Sequence, residues 1–332
     1  MKVLLDGYFD HNFGDDYMMK IMIHSLPELD FLIELNERTK WIAEESNVKP
    51  KSHNETACKL IITGSGFMIN SFCAFLHELK WFIERKHIAD YCVGCNIEHF
   101  HNPIKEYLIQ KKLQKFKLIT CRDKKSYKWL KDRCNNTEIH YFPDILFFMP
   151  DDWIVKSKNG NKLGISLLHR SRDKEDCQYY KTMAKAADCW IKKTNEDVYL
   201  LAFNTGSEND VYACECVKNQ MQFSHKTKII EHKDRGEIIN AYAECKKIIG
   251  ARFHSAVLAM KMDIDFFPIV YRNKMKNLID DVNYPNKGCY IDHINYDNIR
   301  SFIDSEKLNY KIDENITLDP ERYLRVVKEM IL

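Results

Sequence analysis

Short apolar runs recur along this chain, each followed by a turn carrying Gly, Asp or Asn and then by a longer mixed stretch. KVLLDGYF predicts a buried strand, and GDDYMMKIMIHSL the helix behind it. DFLIEL, LIITGSGF, YCVGCNI, FKLITCRD and IHYFPDILFF continue the strand series, with SFCAFLHELKWFIERK and KSYKWLKD as helical stretches among them. Apolar runs of this length alternating with helices of roughly 10–15 residues predict βαβ units and a parallel sheet buried on both faces.

The polar stretch from Pro150 to Lys162 interrupts the rhythm with Pro, Gly and Asn, as a linker does. The alternation then restarts at KLGISLLHRS and runs through DVYLLAFNTGS, TKIIEHK, KKIIGARF and DIDFFPIVY, with helices between. PERYLRVVKEMIL predicts an amphipathic terminal helix with Pro320 in its first turn. The expected organisation is an N-terminal Rossmann-like domain over 1–150, a linker over 151–162 and a C-terminal Rossmann-like domain over 163–319. A terminal helix over 320–332 is expected to pack back on the N-terminal domain. Two such α/β domains are expected to face a cleft, the default ligand site because strand C-terminal ends and helix N-termini point there.

Composition changes this picture little: 45% hydrophobic and 30% charged residues are those of a globular protein. Fifty Lys and Arg against 48 Asp and Glu remove the electrostatic case for a nucleic-acid binder. No apolar run approaches the roughly 20 residues of a membrane span. The opening MKVLLDGYFDHNFGDD lacks the regions of a signal peptide. A cytoplasmic protein with at most peripheral contact at the inner face of the membrane is expected. The 12 cysteines, among them Cys58, Cys73, Cys121, Cys189 and Cys245, then read as buried reduced thiols. Cys92 and Cys95 with His99 and His101 have zinc-ligand types, but a strand would point the two thiols to opposite faces, so no metal is expected.

Candidate chemistry sits at the strand ends. In the first turn Gly14 permits a tight bend, Asp15 is placed to cap the helix, and Asn12 and Asp16 project where they can bind sugar hydroxyls. Gly64, Ser65 and Gly66 form a small-residue turn that lets main-chain N–H groups approach an anion or hydroxyl. A dinucleotide fingerprint would need glycine where Ile69 stands, and no Walker Lys-Ser/Thr follows, so NAD and ATP are poorly supported. Arg122 ends the strand KLITC, where it either grips a carboxylate or phosphate or pairs with Asp123 to order the loop. His169, Arg170 and Arg172 follow LGISLL as a basic cluster suited either to a phosphate or to a solvated loop. The densest signal is Gly250-Ala251-Arg252-Phe253-His254-Ser255-Ala256. There a strand turns into a helix and places a guanidinium and an imidazole one residue apart, an anion site beside a group that moves protons near neutrality. Tyr271 and Lys274 follow the next strand, and Lys274 can reach the same anion.

With these pieces in view the chain resembles the polysaccharide pyruvyl transferase family. The resemblance rests on GYFDHNFGDD, the GSGF turn, Arg122-Asp123-Lys124-Lys125-Ser126, Pro143-Asp144-Ile145, Leu163-Gly164-Ile165-Ser166, and IGARFHSAVLAM followed by PIVYRNK. It implies a fold similar to GT-B glycosyltransferases and transfer of pyruvate from phosphoenolpyruvate to a sugar as a ketal, in the assembly of capsules, exopolysaccharides or cell-wall polymers. Arg252 and His254 match residues thought to bind phosphoenolpyruvate, with Arg122, Arg170 and Lys274 as secondary candidates; phosphoenolpyruvate is then the donor substrate and no cofactor is called for. The acceptor would be a lipid-linked or nucleotide-linked sugar. Two departures stand out: Cys95-Asn96-Ile97-Glu98 replaces a glycine-rich turn, and His169 interposes before Arg170. The rival readings are a GT-B glycosyltransferase using a nucleotide sugar, with Glu231 or Asp234 on its ribose, and a non-catalytic glycan-binding or assembly protein of the same fold.

Overall fold

The computed structural model describes residues 1–53, 55–63, 66–67, 76, 80, 89–97, 102–155, 160–175, 177–233, 236–308, 310, 312 and 320–332. The chain divides into two compact units. One holds Met1–Phe9, Tyr17–Phe148 and Glu314–Leu332; the other holds Asp10–Asp16 and Met149–Asp313.

In the first unit the strands are β1 (Lys2–Gly7), β2 (Asp30–Ile33), β3 (Val48–Pro50), β4 (Cys58–Ile62), β5 (Gly66–Phe67), β6 (Tyr91–Ile97), β7 (Leu118–Cys121) and β8 (Glu138–Tyr141). They lie in the order β3-β2-β1-β4-β6-β7-β8, with β5 also paired to β6. Every pairing is parallel. Helix α1 (Phe13–Ser25) follows β1, and α2 (Pro103–Leu113) and α3 (Lys124–Arg133) flank β7 in sequence. Proline opens α2 where a missing N–H costs nothing, and the Asn102 side chain accepts from the amides of Ile104 at 2.9 Å and Lys105 at 3.2 Å. Leu108, Ile109, Leu113 and Leu130 from these helices bury Cys92, Ile119 and Ile139 of the sheet.

IHYFPDILFF, expected as one strand, splits. β8 ends at Tyr141, and Ile145–Phe148 wind into a buried 3-10 turn after Pro143, where the Asp144 carboxylate accepts from the Leu146 amide at 2.9 Å. The expected alternation at Cys92 and Cys95 also breaks. A bulge falls between them, Gly94 takes φ +77°, and both thiols join the same apolar cluster. Burial pushes the Cys92 thiol well up, and hydrogen bonding to Cys95 adds to the rise. His99, His101 and Cys73 lie outside the described residues. None of Cys58, Cys121, Cys189 and Cys245 is in a disulfide; Cys121 and Cys245 are buried as expected, whereas Cys58 and Cys189 are only half-buried. The terminal helix, α10 (Pro320–Ile331), packs in this first unit, with Tyr323 centred 4.9 Å from Phe142 and 5.0 Å from Phe148.

The second unit carries β9 (Lys162–Leu167), β10 (Val198–Ala202), β11 (Thr227–Glu231), β12 (Cys245–Gly250), β13 (Asp265–Val270) and β14 (Cys289–Tyr290), in the order β11-β10-β9-β12-β13-β14. Its pairings are parallel throughout. Counted within the unit this is 3-2-1-4-5-6, the doubly wound Rossmann order, and the first sheet begins the same way. The helices are α4 (Gln178–Thr194), α5 (Asp210–Asn219), α6 (Glu237–Ala243), α7 (Phe253–Lys261), α8 (Asn273–Asp281) and α9 (Tyr296–Asp304). Tyr180, Met183, Trp190 and Ile191 of α4, with Ile299 and Phe302 of α9, cover Leu163, Ile165 and Leu167 of β9. The strand order reverses between β9 and β12, and a doubly wound sheet binds ligands beyond the carboxyl ends of its strands at such a reversal.

Two boundaries differ from the sequence reading. Met149 onward already belongs to the second unit, so the expected linker is largely part of it. The segment Asp10–Asp16, expected in the N-terminal domain, clusters with the second unit because its hydrogen bonds go to the loop after β10. Among the described residues, no helix is long and apolar enough to cross a membrane.

Candidate active site

The strand-to-helix corner after β12 sets Arg252 at the N-cap of α7 and His254 in its first turn, each only 6% exposed. A buried guanidinium needs compensating charge. Asp210, the first residue of α5 and fully buried, takes Nε at 2.7 Å and Nη2 at 2.5 Å in a two-pronged pair, and Glu208 takes Nη1. Burial works against the charge of Arg252, yet Asp210 and Glu208 outweigh it and raise the guanidinium above its ordinary value. Burial likewise pushes the Asp210 carboxyl up. The guanidinium and the amides of Asn204 at 2.9 Å and His169 at 3.1 Å oppose that rise. Among the described residues, Asp210 and Glu208 take three of the five guanidinium N–H donors.

Lys274 adds an ammonium at this corner, 5.7 Å from the ring centres of both Phe253 and Tyr271. Phe253 in turn meets the imidazole of His254 edge to face at 5.2 Å. The Asp10–Asp16 segment completes the surroundings. Asn12 bridges Asn204, the Phe13 amide donates to the Phe203 carbonyl at 2.8 Å, and the Thr205 amide donates to the His11 carbonyl at 3.1 Å. A Cβ on Gly14 would fall 1.6 Å from Nδ1 of His254, so the imidazole rests directly on that glycine.

Arg252 and His254 therefore share the start of α7, and Lys274 lies near the ring of the intervening Phe253. The other expected residues have different surroundings. Arg122 is buried in the first unit, donating to Asp144 at 2.7 Å and to Asn96 at 3.0 Å; its ion-pair partner is Asp144, whereas Asp123 caps α3 by accepting from the Ser126 amide at 2.9 Å. Arg170 is held by Asp173 through two bonds and by Asp292 through a third, and Arg172 shares Asp292. Asn12 accepts from the Gly14 amide at 3.1 Å, so it caps α1 in the place expected of Asp15. Asp16 is buried against His232, 2.8 Å from its Nε2, rather than projecting. Gly64 and Ser65 lie outside the described residues, and Gly66 pairs with Asn96 at the start of β5. Glu231 faces Lys233 at 3.3 Å, and Asp234 lies outside the described residues.

Sequence reading missed Asp210, Glu208 and His232. The signal for the first two was the turn-rich run Asn204-Thr205-Gly206-Ser207-Glu208-Asn209-Asp210 directly after a strand, with Asn209 left-handed at φ 45°. His232 gave no local signal beyond standing one residue past β11.

Two parallel, doubly wound sheets with their helices define the α/β architecture of GT-B proteins, two Rossmann-like domains in one chain. Solved structures of that fold are similar to it. They include UDP-GlcNAc 2-epimerases from Methanocaldococcus jannaschii (12% identity, TM-score 0.63, covering 99% of this chain and 100% of that one) and from Neisseria meningitidis bound to UDP-GlcNAc (10%, 0.62, 99% and 99%). A third is the Staphylococcus aureus MnaA–UDP structure (11%, 0.59, 91% and 86%). No curated protein matches the sequence. The profile of the polysaccharide pyruvyl transferase family matches residues 12–273, and the chain belongs to that family.

Proposed function

We propose that the protein transfers the pyruvyl group of phosphoenolpyruvate to two hydroxyls of a sugar in a polysaccharide precursor, giving a pyruvate ketal and inorganic phosphate. The observation that carries this reading is the start of α7. A buried guanidinium, an imidazole two residues on and the Lys274 ammonium 5.7 Å from the intervening Phe253 ring lie beyond the carboxyl end of β12, beside the reversal where a doubly wound sheet takes its ligands. Phosphoenolpyruvate carries a carboxylate and a phosphate, and fixed cations in a poorly solvated corner suit both.

In the proposed reaction a proton is added to C3 of the enol, which makes C2 electrophilic. One sugar hydroxyl attacks C2 and loses its proton, the C2–O bond to phosphate breaks, and the second hydroxyl closes the ring at C2. Of the two hydroxyl protons, one balances that taken up at C3 and the other leaves with phosphate. His254 is assigned the proton transfers and Arg252 the donor anion, with Lys274 beside it; Arg122 and Arg170 would have to exchange their carboxylate partners to take part. The fold neighbours solved with UDP or UDP-GlcNAc support a nucleotide-linked sugar as the first acceptor to try. A charge-assisted contact is worth about 1.5–3 kcal/mol, so Arg252→Ala is expected to cut phosphate release from phosphoenolpyruvate at least ~10-fold. His254→Ala should fall as far or further. Full turnover in both purified variants would remove the assignment.

A further inference from the structure

Asp16 in the first turn of α1 and His232 just after β11 are 216 positions apart, yet Oδ2 and Nε2 stand 2.8 Å from each other with side chains 1% and 2% exposed. The pair is walled by Phe13, whose ring meets His232 edge to face at 5.5 Å and Phe203 at 5.0 Å. Between Phe13 and Asp16 sits Gly14, the residue on which the imidazole of His254 rests. One helical turn thus touches two histidines. At one end it is clamped to His232 by a carboxylate, and at the other it forms the surface that sets where the His254 ring can lie. Asp10 ties the start of the same segment down by accepting from the Ser207 amide at 2.9 Å.

We propose that Asp16 and His232 are positioning residues for His254. Their buried bond fixes the first turn of α1, and through Gly14 that turn fixes the imidazole. A carboxylate bonded to one ring nitrogen selects the tautomer and orientation of a histidine, and here the histidine so held supports a second one. Neither Asp16 nor His232 is exposed enough to meet a substrate, so their effect passes through the placement of His254. The inference rests on the reading of His254 as the proton-transfer group, and a misplacement of about 1 Å in such a group can cost on the order of 100-fold in rate.

The test uses the full chain carrying Asp16→Asn, His232→Gln or His232→Leu, with Lys192→Ala on the outer surface of α4 as a control. Asp16→Asn keeps the shape of the side chain and removes its charge; His232→Gln replaces the ring N–H with an amide N–H that can still donate to Asp16. The expected result is a fall in kcat of about tenfold or more in Asp16→Asn and His232→Leu, with KM for phosphoenolpyruvate changed less than about twofold and partial recovery in His232→Gln. A second readout needs no turnover: imidazole resonances in histidine-labelled protein, with His254 assigned from the His254→Ala spectrum. Those resonances should move in Asp16→Asn and His232→Leu and stay in Lys192→Ala. If phosphoenolpyruvate is not turned over by the parent protein, the functional reading fails and the resonances alone decide the positioning role. Folded Asp16→Asn protein with His254 resonances at their parent positions would overturn the proposal.

Discussion

Arg252 owes its place to two acidic residues with different freedom. Asp210 is fully buried and accepts four hydrogen bonds, so it is part of the frame; Glu208 is 45% exposed at its side chain and meets only Nη1. Breaking a buried pair by removing one charge commonly costs about 3–5 kcal/mol, so Asp210→Asn should lower the free energy of unfolding in urea by an amount in that range, seen as a lower midpoint with m unchanged. If the donor anion takes the guanidinium as proposed, the half-exposed Glu208 carboxylate competes with it for Nη1. Glu208→Gln is therefore expected to lower KM for phosphoenolpyruvate with kcat little changed; a higher KM would mean that Glu208 helps to bind the donor. The placement of Arg252 and His254 at a strand-to-helix corner was legible from the sequence. Their partners were not, because pairing across more than 40 residues depends on how strands stack and leaves no trace in a local pattern.

At the scale of elements, the long apolar runs announced themselves and the short or kinked ones did not. β3 with three residues and β14 with two are edge pieces too brief to show alternation, and the bulge at Gly94 reverses the facing that strand period alone implies for Cys95. β12 and α9 show how an element end is finished. Lys247 is buried in the strand and donates to the Ser305 carbonyl at 2.7 Å, to the Ser305 hydroxyl at 2.9 Å and to the Phe302 carbonyl, an ammonium at the C-terminal end of a helix. Burial pulls this lysine down from 10.5 to about 8, with Asp265 opposing the fall. Its folded pKa therefore lies below its unfolded one. Between about pH 8 and 10.5 the unfolded chain holds more of this proton, so the lysine's contribution to stability improves as pH rises through that window. The stability of the parent relative to Lys247→Met, measured by urea unfolding, should grow from pH 8 to pH 10; a difference independent of pH would contradict the burial argument.

For the whole molecule, the repetition of strand–turn–helix was enough to foresee two Rossmann-like domains, and both sheets carry the expected parallel order. The sequence could not show that seven residues from the first βα turn, Asp10–Asp16, would build their contacts with the second unit. That segment carries Gly14 and Asp16, so the surroundings of His254 draw on the first βα turn as well as on the corner after β12, and the family's match beginning at residue 12 covers most of that segment. Glycosyl transfer from a nucleotide sugar is the rival on this fold, and it makes no demand on a three-carbon phosphorylated acid. Calorimetric titration of phosphoenolpyruvate into the parent protein and into Arg252→Ala separates the two most directly. The account predicts saturable binding to the parent and affinity at least ~10-fold weaker in the variant. Equal affinity in both proteins, or a folded parent that binds UDP and ignores phosphoenolpyruvate, would contradict it.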